Sequence, residues 1–305
     1  MPEREPRVSI IMRAKNTGWV IHQALAALYS QTFKDFELVV VDSGSTDNTL
    51  DIVRCFPHRL IQIEASDYFP GAVLNAVIQE TRSGLIVFQN ADTVPLTPYA
   101  LQRLLDVFDD EKTQAAFARQ IPRPEAFAWV RRDYDTAFPE FGPAPEWMTL
   151  SLPLAAMRRS IWREHPFFTD AWGSEDVEWG YWAKTHGHGI RYVADALVMH
   201  SHNYTLRQIY GRRFIEGEAD AFIHQSGDSW ARLIRRYFSS IAHDGIDHGR
   251  RREWKEIVTS PLRRAVYQWA YYQGRTMGEQ RRRSGNPDAS IGQKIVLTRH
   301  ESNRS

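Results

Sequence analysis

Three acidic clusters and one histidine pair sit where apolar runs of this sequence end, and each has a chemistry open to it. Asp42-Ser43-Gly44-Ser45-Thr46-Asp47 follows the run Phe36 to Val41. A carboxylate at such a strand tip can accept hydrogen bonds from a nucleobase N–H or a ribose hydroxyl, and Gly44 lets the backbone come close to a ligand. The same residues also suit an ordinary strand-to-helix turn, with Thr46 or Asp47 as the N-cap. Gln89-Asn90-Ala91-Asp92-Thr93 ends the run Leu85 to Phe88. Asp92 can ligate a divalent cation that bridges phosphates, because Mg²⁺ and Mn²⁺ take oxygen ligands and often only one or two carboxylates. Asn90 is neutral and can orient a ligand, but it is a poor metal ligand. A turn ahead of Pro95 would use Asp92 equally well.

Gly173-Ser174-Glu175-Asp176-Val177-Glu178 leads into a segment rich in tryptophan. Adjacent carboxylates at a helix start point in different directions. One can act as general base while its neighbour binds a hydroxyl or caps the helix, and the like charge helps raise the base's pKa. The helix dipole alone also favours acids there. His200-Ser201-His202 closes another apolar run with both imidazoles on one face, where either can complete a metal site.

The elements that must position these clusters follow from hydrophobic periodicity. Val8 to Met12, Phe36 to Asp42, Leu60 to Ile63 and Leu85 to Phe88 read as strands, with helices between them over Trp19 to Tyr29, through Leu50 and Val53, and over Gly71 to Thr81. Such alternation implies an α/β fold with a mostly parallel sheet covered by helices on both faces, and ligands at the carboxyl ends of the strands. A helix over Pro98 to Phe108 and a strand near Ala115 to Ala118 come next. Pro122 to Pro145 is polar and proline-rich, and reads as an irregular functional loop or connection. A helix at Trp179 to Ala183 and a strand from Ile190 to Met199 follow. From Leu206 only helices are expected, over Leu206 to Ala221, Trp230 to Ala242 and Pro261 to Met277, with a frayed end from Arg281. The implied division is residues 1–205 as the catalytic domain, 206–280 as a helical extension, and 281–305 as a flexible tail.

The 305 residues are 43% hydrophobic and 25% charged, and no stretch approaches the ~20 consecutive apolar residues of a membrane span. The charged N-terminus lacks the apolar core of a secretory signal, so a cytoplasmic chain is expected. Cys55 is alone, which excludes an internal disulfide and a cysteine zinc cluster. Residues 1 to 202 carry 19 Lys+Arg against 26 Asp+Glu, and residues 203 to 305 carry 19 against 11. The basic second part suits an anionic surface, or is simply a solvated face; an acidic first part suits a metal-dependent site.

Taken in order, Val8 to Met12, Asp42-Ser43-Gly44-Ser45-Thr46-Asp47, Asn90-Ala91-Asp92 and Ser174-Glu175-Asp176 resemble a family 2 glycosyltransferase of GT-A fold, over about residues 7 to 220. Phe69 to Asn75, Arg119 to Pro124 and His200 to Tyr204 are similar to its bacterial rhamnosyltransferase-like branch. The resemblance implies an inverting transfer of a sugar, with rhamnose as the favoured guess, from a dTDP-, UDP- or GDP-sugar to a hydroxyl of a glycan or lipid-linked acceptor. Asp42 then matches the acid that contacts base or ribose, with Ser43 beside it and Ala14 at the neighbouring strand end. Asn90-Ala91-Asp92 matches the DxD motif, whose last acid binds Mn²⁺ or Mg²⁺ and whose first, here Asn90, usually contacts the ribose. Asp176 matches the catalytic base, with Glu175 on the acceptor side, and His200 or His202 matches a further metal ligand, His202 being preferred.

Arginine matches phosphate geometry, so Arg119, Arg123, Arg158 and Arg159 are candidate diphosphate contacts. Trp172, Trp179 and Trp182 are candidate stacking surfaces for sugar rings, with Trp172 nearest the base and also an acceptor contact. The C-terminal helices carry aromatics on one face and Arg on the other, which fits peripheral contact with the inner face of the cell membrane, a homodimer interface or a packed subdomain. Three rivals stand beside this reading. A different nucleotide-dependent α/β transferase would normally show a glycine-rich phosphate loop, which Arg13 to Gly18 does not provide. A catalytically silent nucleotide-sugar or glycan binder is suggested by Asn90. A nucleic-acid binder using the basic second part is the third, but the first part is acidic and no recognition motif is present.

Overall fold

The computed structural model describes residues 5–286 and 288–296. In chain order the elements are β1 (Val8–Ala14), α1 (Ile21–Tyr29), β2 (Phe36–Asp42), α2 (Thr49–Val53), β3 (Arg59–Gln62), α3 (Pro70–Gln79), β4 (Leu85–Asn90), β5 (Val94–Pro95) and α4 (Ala100–Asp106). There follow β6 (Thr113–Ile121), α5 (Ala128–Ala137), β7 (Leu154–Arg158), α6 (Arg159–Glu164), α7 (Glu175–Thr185) and β8 (Gly189–Met199). Four helices end the described residues: α8 (Leu206–Ile223), α9 (Trp230–Arg250), α10 (Trp254–Ser284) and α11 (Ser290–Val296).

The strands form one sheet in the order β3-β2-β1-β4-β7-β6-β8-β5. Strand periodicity of two divides the core into two layers. Val8, Ile10 and Met12 of β1 face α1 and α4, packing with Leu25, Leu28 and Leu104. Ile11 faces the other way, with Leu74, Val77 and Ile78 of α3. Both faces are buried, which is why β1, β2 and β4 read as nearly continuous apolar runs. The sheet is mixed. β1 pairs in parallel with β2 and β4, β2 with β3, and β6 with β8. Three pairings are antiparallel: β4 with β7, β6 with β7, and β5 with β8.

Parallel register brings the carboxyl ends of β1, β2 and β4 to one edge. Ala14 lies opposite Asp42 and Arg13 opposite Asn90. β8 ends at the same edge, because Met199 pairs with Ile121 of β6 and with Val94 just beyond Asp92.

Several elements depart from the expectations above. The Pro122 to Pro145 stretch is not irregular throughout: Ala128–Ala137 is helical, anchored by Arg132 to Asp244 of α9. α10 begins at Trp254 rather than Pro261, so the proline lies inside the helix. α9 continues past Ala242 to Arg250. The expected frayed end from Arg281 is in part ordered structure. Arg281 is buried against Glu218 at 2.6 Å, and Gln293 of α11 donates to the carbonyl oxygen of Ser66 at 2.8 Å. Residues 297–305 of that expected tail, and residues 1–4 of the charged N-terminus, lie outside the described residues.

Candidate active site

A cavity of about 1030 Å³ opens at the shared strand edge. Its wall carries Ala14, Ser43, Asn90, Ala91, Asp92, Trp172, Glu175, Asp176, His200 and His202, so ten of the positions singled out in the sequence meet in one place. Residues of α5, α9 and α10 form the facing side.

Asp42 is buried at the tip of β2 beside Ser43 and does not line the cavity itself. Its Oδ2 accepts from the backbone N–H groups of Gly44 and Ser45, at 3.1 and 3.0 Å, while Oδ1 is buried without a hydrogen-bond partner. The turn therefore uses half of this carboxylate. The other oxygen retains an acceptor site that a buried group ordinarily satisfies. Gly44, with φ +79°, allows the tight turn.

Asp92, His200 and His202 converge. His202 Nε2 lies 3.1 Å from Asp92 Oδ2 and His200 Nε2 3.7 Å from Asp92 Oδ1, and one donor atom from each residue falls within 4.8 Å of the others. The surrounding bonds select the tautomer of His200. Gln120 Nε2 donates to Ser151 Oγ at 2.7 Å, which leaves Gln120 Oε1 as the acceptor 2.8 Å from His200 Nδ1. Nδ1 thus carries the proton and the Nε2 lone pair faces Asp92, the arrangement that metal-ligating histidines use. Burial pushes the His200 pKa down to about 3 against the pull of Asp92, keeping the imidazole neutral. Arg123 braces this loop through its Nη2, 2.6 Å from the Asp92 carbonyl oxygen, and stacks on Trp19.

The acidic pair sits at the start of α7, where Gly173 and Ser174 have φ of +100° and +59°. Ser174 occupies the left-handed region without being glycine, a conformation that costs energy and recurs at functional sites. The two carboxylates diverge. Glu175 is buried, and its Oε1 accepts from Arg13 Nη1 at 2.7 Å. Arg13 also reaches Asn90 Oδ1 at 3.3 Å through Nη2 and the Tyr68 hydroxyl at 3.4 Å. Asp176 keeps its side chain on the cavity, with Oδ1 2.9 Å from the N–H of Val177. Burial and then the charge of Glu175 push the Asp176 pKa up to about 6, with Arg13 opposing. A carboxyl poised there is suited to accepting a proton near neutral pH.

Other candidates fall elsewhere. Arg119 is turned off the cavity wall and pairs with Glu140 at 3.5 Å; its neighbour Gln120, on the opposite strand face, reaches the site. Arg158 and Arg159 lie at the far end of the sheet, where Arg158 is in register with Leu85, the first residue of β4. There they donate to carbonyl oxygens of Thr113, Phe108, Ser83 and Ile78, and so fasten loops rather than face the cavity. Trp179 is fully buried and Trp182 stacks on His165, so of the three tryptophans the cavity receives Trp172 alone. Trp172 is held by a 3.2 Å bond from Nε1 to the Tyr68 carbonyl oxygen.

Arg13, Tyr68, Gln120, Tyr204 and Arg212 are site residues that the sequence reading did not select. A charged residue closing an apolar strand was a usable signal for Arg13. Arg212 enters from the middle of α8, 3.5 Å from the Tyr204 hydroxyl, and only tertiary packing brings it there.

Among known proteins, the model of glycosyl transferase family 2 matches residues 9–166. The O-antigen chain rhamnosyltransferase WbaN of Salmonella anatum is 29% identical, over 79% of this chain and 78% of its own length. The O-antigen chain rhamnosyltransferase RfbN of Salmonella typhimurium is 26% identical with the same shares covered. Among solved structures, the mannosyltransferase PcManGT of Pyrobaculum calidifontis, in complex with GDP-Man and Mn²⁺, superposes with a TM-score of 0.57 at 17% identity, covering 97% of this chain and 81% of that one.

Proposed function

This chain belongs to glycosyl transferase family 2, and we propose that it moves a hexosyl group, rhamnose being the favoured sugar, from a nucleoside-diphosphate donor to a hydroxyl of a glycan or lipid-linked acceptor with inversion. The observation that carries this reading is a single cavity holding three complementary parts: the Asp92, His200 and His202 donor set, the Asp176 carboxyl with its raised pKa, and the strand-tip residues Ala14 and Ser43. The family's rhamnosyltransferase relatives support the sugar and a polysaccharide acceptor.

The donor set fits a divalent cation, because the hydrogen bond from His200 to Gln120 already aims the Nε2 lone pair at the position the other two residues surround. Two imidazoles with one carboxylate favour Mn²⁺ over Mg²⁺, which prefers oxygen throughout. A cation held by Asp92, His200 and His202 would neutralise charge gathering on the diphosphate. Ala14 and Ser43 provide the wall proposed for the base, and Asp42, buried behind Ser43, fixes that turn by accepting from the N–H groups of Gly44 and Ser45.

In the reaction itself, the acceptor oxygen forms a bond to the anomeric carbon from the face opposite the diphosphate. The bond from that carbon to the diphosphate oxygen breaks, and its electron pair leaves with the nucleoside diphosphate. Asp176 takes the hydroxyl proton. Glu175, committed to Arg13, holds α7 against the strand edge and keeps Asp176 directed into the cavity. Trp172, nearly buried on the same cavity wall as Asp176, is the aromatic side chain proposed to meet the sugar.

The test is turnover of dTDP-, UDP- and GDP-hexoses by the full chain with Mn²⁺, following nucleoside diphosphate release and the anomeric configuration of the product by proton NMR. Release from one donor series with inverted product supports the reading. Retention of configuration, or donor binding with no release and no transfer, would leave a different chemistry or a silent binder.

A further inference from the structure

The two long C-terminal helices present opposite faces to two different environments. Towards the protein, Arg236, Ser239, Ser240 and His243 of α9, with Arg264 and Gln268 of α10, line the active-site cavity. Away from it, Trp230, Ile234 and Phe238 of α9 and Trp254, Val258 and Leu262 of α10 are all exposed, Val258 at 79% and Trp254 at 67%. Both sets follow i, i+4, i+8 spacing, and at about 100° per residue each stays within roughly a quarter turn of its helix. The helices run antiparallel, because Trp230 near the start of α9 meets Trp269 of α10 at 5.7 Å while Asp244 meets Arg264. The stripes therefore follow one another along the helix pair, the α9 stripe beside the Trp269 end of α10 and the α10 stripe beside the end of α9, with exposed Trp269 joining them at Trp230.

Charge around this face is one-sided. Arg232, Arg235, Arg250, Arg251, Arg252 and Lys255 are exposed, whereas Asp244, Asp247, Glu253 and Glu256 are buried or half-buried, and no acid between residues 229 and 272 is exposed. Arg232 and Arg251 have partners in Asp228 and Asp135. On the helical wheel Arg235 and Lys255 flank the stripes, while Asp247, Glu253 and Glu256 fall on the opposite sides of their helices. A two-fold pairing of this face with a second copy would oppose basic residues with no exposed acid on either helix to receive them. A surface of anionic headgroups accepts both features: tryptophans settle at the headgroup level and the basic flanks meet negative charge.

We propose that the face formed by α9 and α10 docks this protein onto an anionic lipid bilayer. The helices lie in the interface and do not span it, since no helix among the described residues is long and apolar enough to cross a membrane. Docking places the cavity about one helix diameter, roughly 10 to 12 Å, from the lipid surface. If the transferase reading holds, an acceptor carried on a lipid then arrives at the α9 and α10 side of the cavity. The docking itself stands on the surface and does not depend on that reading.

The experiment is vesicle flotation of the full chain, with phosphatidylcholine alone or mixed equally with phosphatidylglycerol, at low and high salt. The wild type floats with the mixed vesicles, and flotation weakens with neutral vesicles and with salt. Phe238→Glu with Val258→Glu lowers partition roughly tenfold or more without changing the melting temperature, because both side chains are exposed. Arg235→Glu with Lys255→Glu removes the dependence on phosphatidylglycerol. Equal flotation of the apolar variant and the wild type overturns the proposal. So does a wild type that ignores vesicles, whether it forms a dimer that the apolar variant dissociates in sedimentation equilibrium or binds single-stranded RNA through Arg235 and Lys255.

Discussion

Arg13 Nη1 lies 2.7 Å from Glu175 Oε1, joining the end of β1 to the first residue of α7 across 162 positions of sequence. The same guanidinium reaches Asn90, so one half-buried cation links the strand end that carries Asp92 to the helix end that carries Asp176. Asn90 fits this role as a neutral partner, because an aspartate there would compete with Glu175 for Arg13. Arg13→Gln leaves Glu175 buried beside Asp176 without its counter-charge. We expect kcat to fall about 10²-fold or more, as misplacement of a reacting group does, with Arg13→Lys recovering part of it. Steady-state kinetics on the two variants checks this, and equal loss in both would point to a guanidinium-specific contact instead.

The pH profile follows from the same pair. As the proposed base, Asp176 would act deprotonated, so kcat/KM should rise with pH through an apparent pKa of about 6 and then level. Glu175→Gln removes a neighbouring negative charge and moves the rising limb to lower pH. Arg13→Gln removes the opposing positive charge and moves it higher. Profiles of the three proteins, measured with saturating cation, give the order directly.

Cation affinity should depend on a residue that never touches the ion. Gln120→Leu deletes the acceptor that fixes the His200 tautomer, and we expect roughly 10- to 100-fold weaker Mn²⁺ binding by calorimetry. Gln120→Glu, which keeps an acceptor, should bind closer to the wild type.

Asp244 makes a separate prediction about stability. Fully buried, it accepts from Arg132 of α5, from Arg263, Arg264 and Ser260 of α10, and so ties the cavity's facing side together. Asp244→Ala strands buried guanidinium groups and should cost about 3 to 5 kcal/mol in chemical denaturation. Burial alone would raise the Asp244 pKa, but bonds from Arg264, Ser260 and Arg132 hold it well below the ordinary 3.8. Its contribution is therefore complete above pH ~4 and declines as acid approaches the lower folded value. The wild type should lose stability below pH ~4 more steeply than the variant.

Much of the frame was legible in the chain itself. β1, β2 and β4 are buried on both faces, so composition alone marks them, and a parallel sheet then sends Asp42, Asn90 and Asp92 to one edge. His200 and His202 were legible as a pair at a strand end. What stayed hidden was set by distant partners. α5 follows a proline-rich stretch and carries the charged run Arg131-Arg132-Asp133 in its middle, and Arg132 finds Asp244 112 positions away. The polar composition after Arg281 concealed α11, whose Gly292 comes close to Trp172 and Ile215. Arg158 and Arg159 have the chemistry of phosphate ligands but lie at the amino end of β4. Arg119 sits one residue from the inward-facing Gln120, and a strand's alternation is enough to remove it from the cavity.

The central claim is that Asp92 with its histidines holds a cation for a nucleoside diphosphate while Asp176 serves the acceptor. The most direct measurement is the melting temperature of wild type, Asp92→Ala and Asp176→Asn with dTDP, UDP, GDP or ADP, each with Mn²⁺ or with EDTA. The account predicts that one diphosphate stabilises wild type and Asp176→Asn only with Mn²⁺, and that Asp92→Ala loses the effect. Stabilisation that survives EDTA and Asp92→Ala, or no stabilisation of the wild type by any of the four, would contradict it.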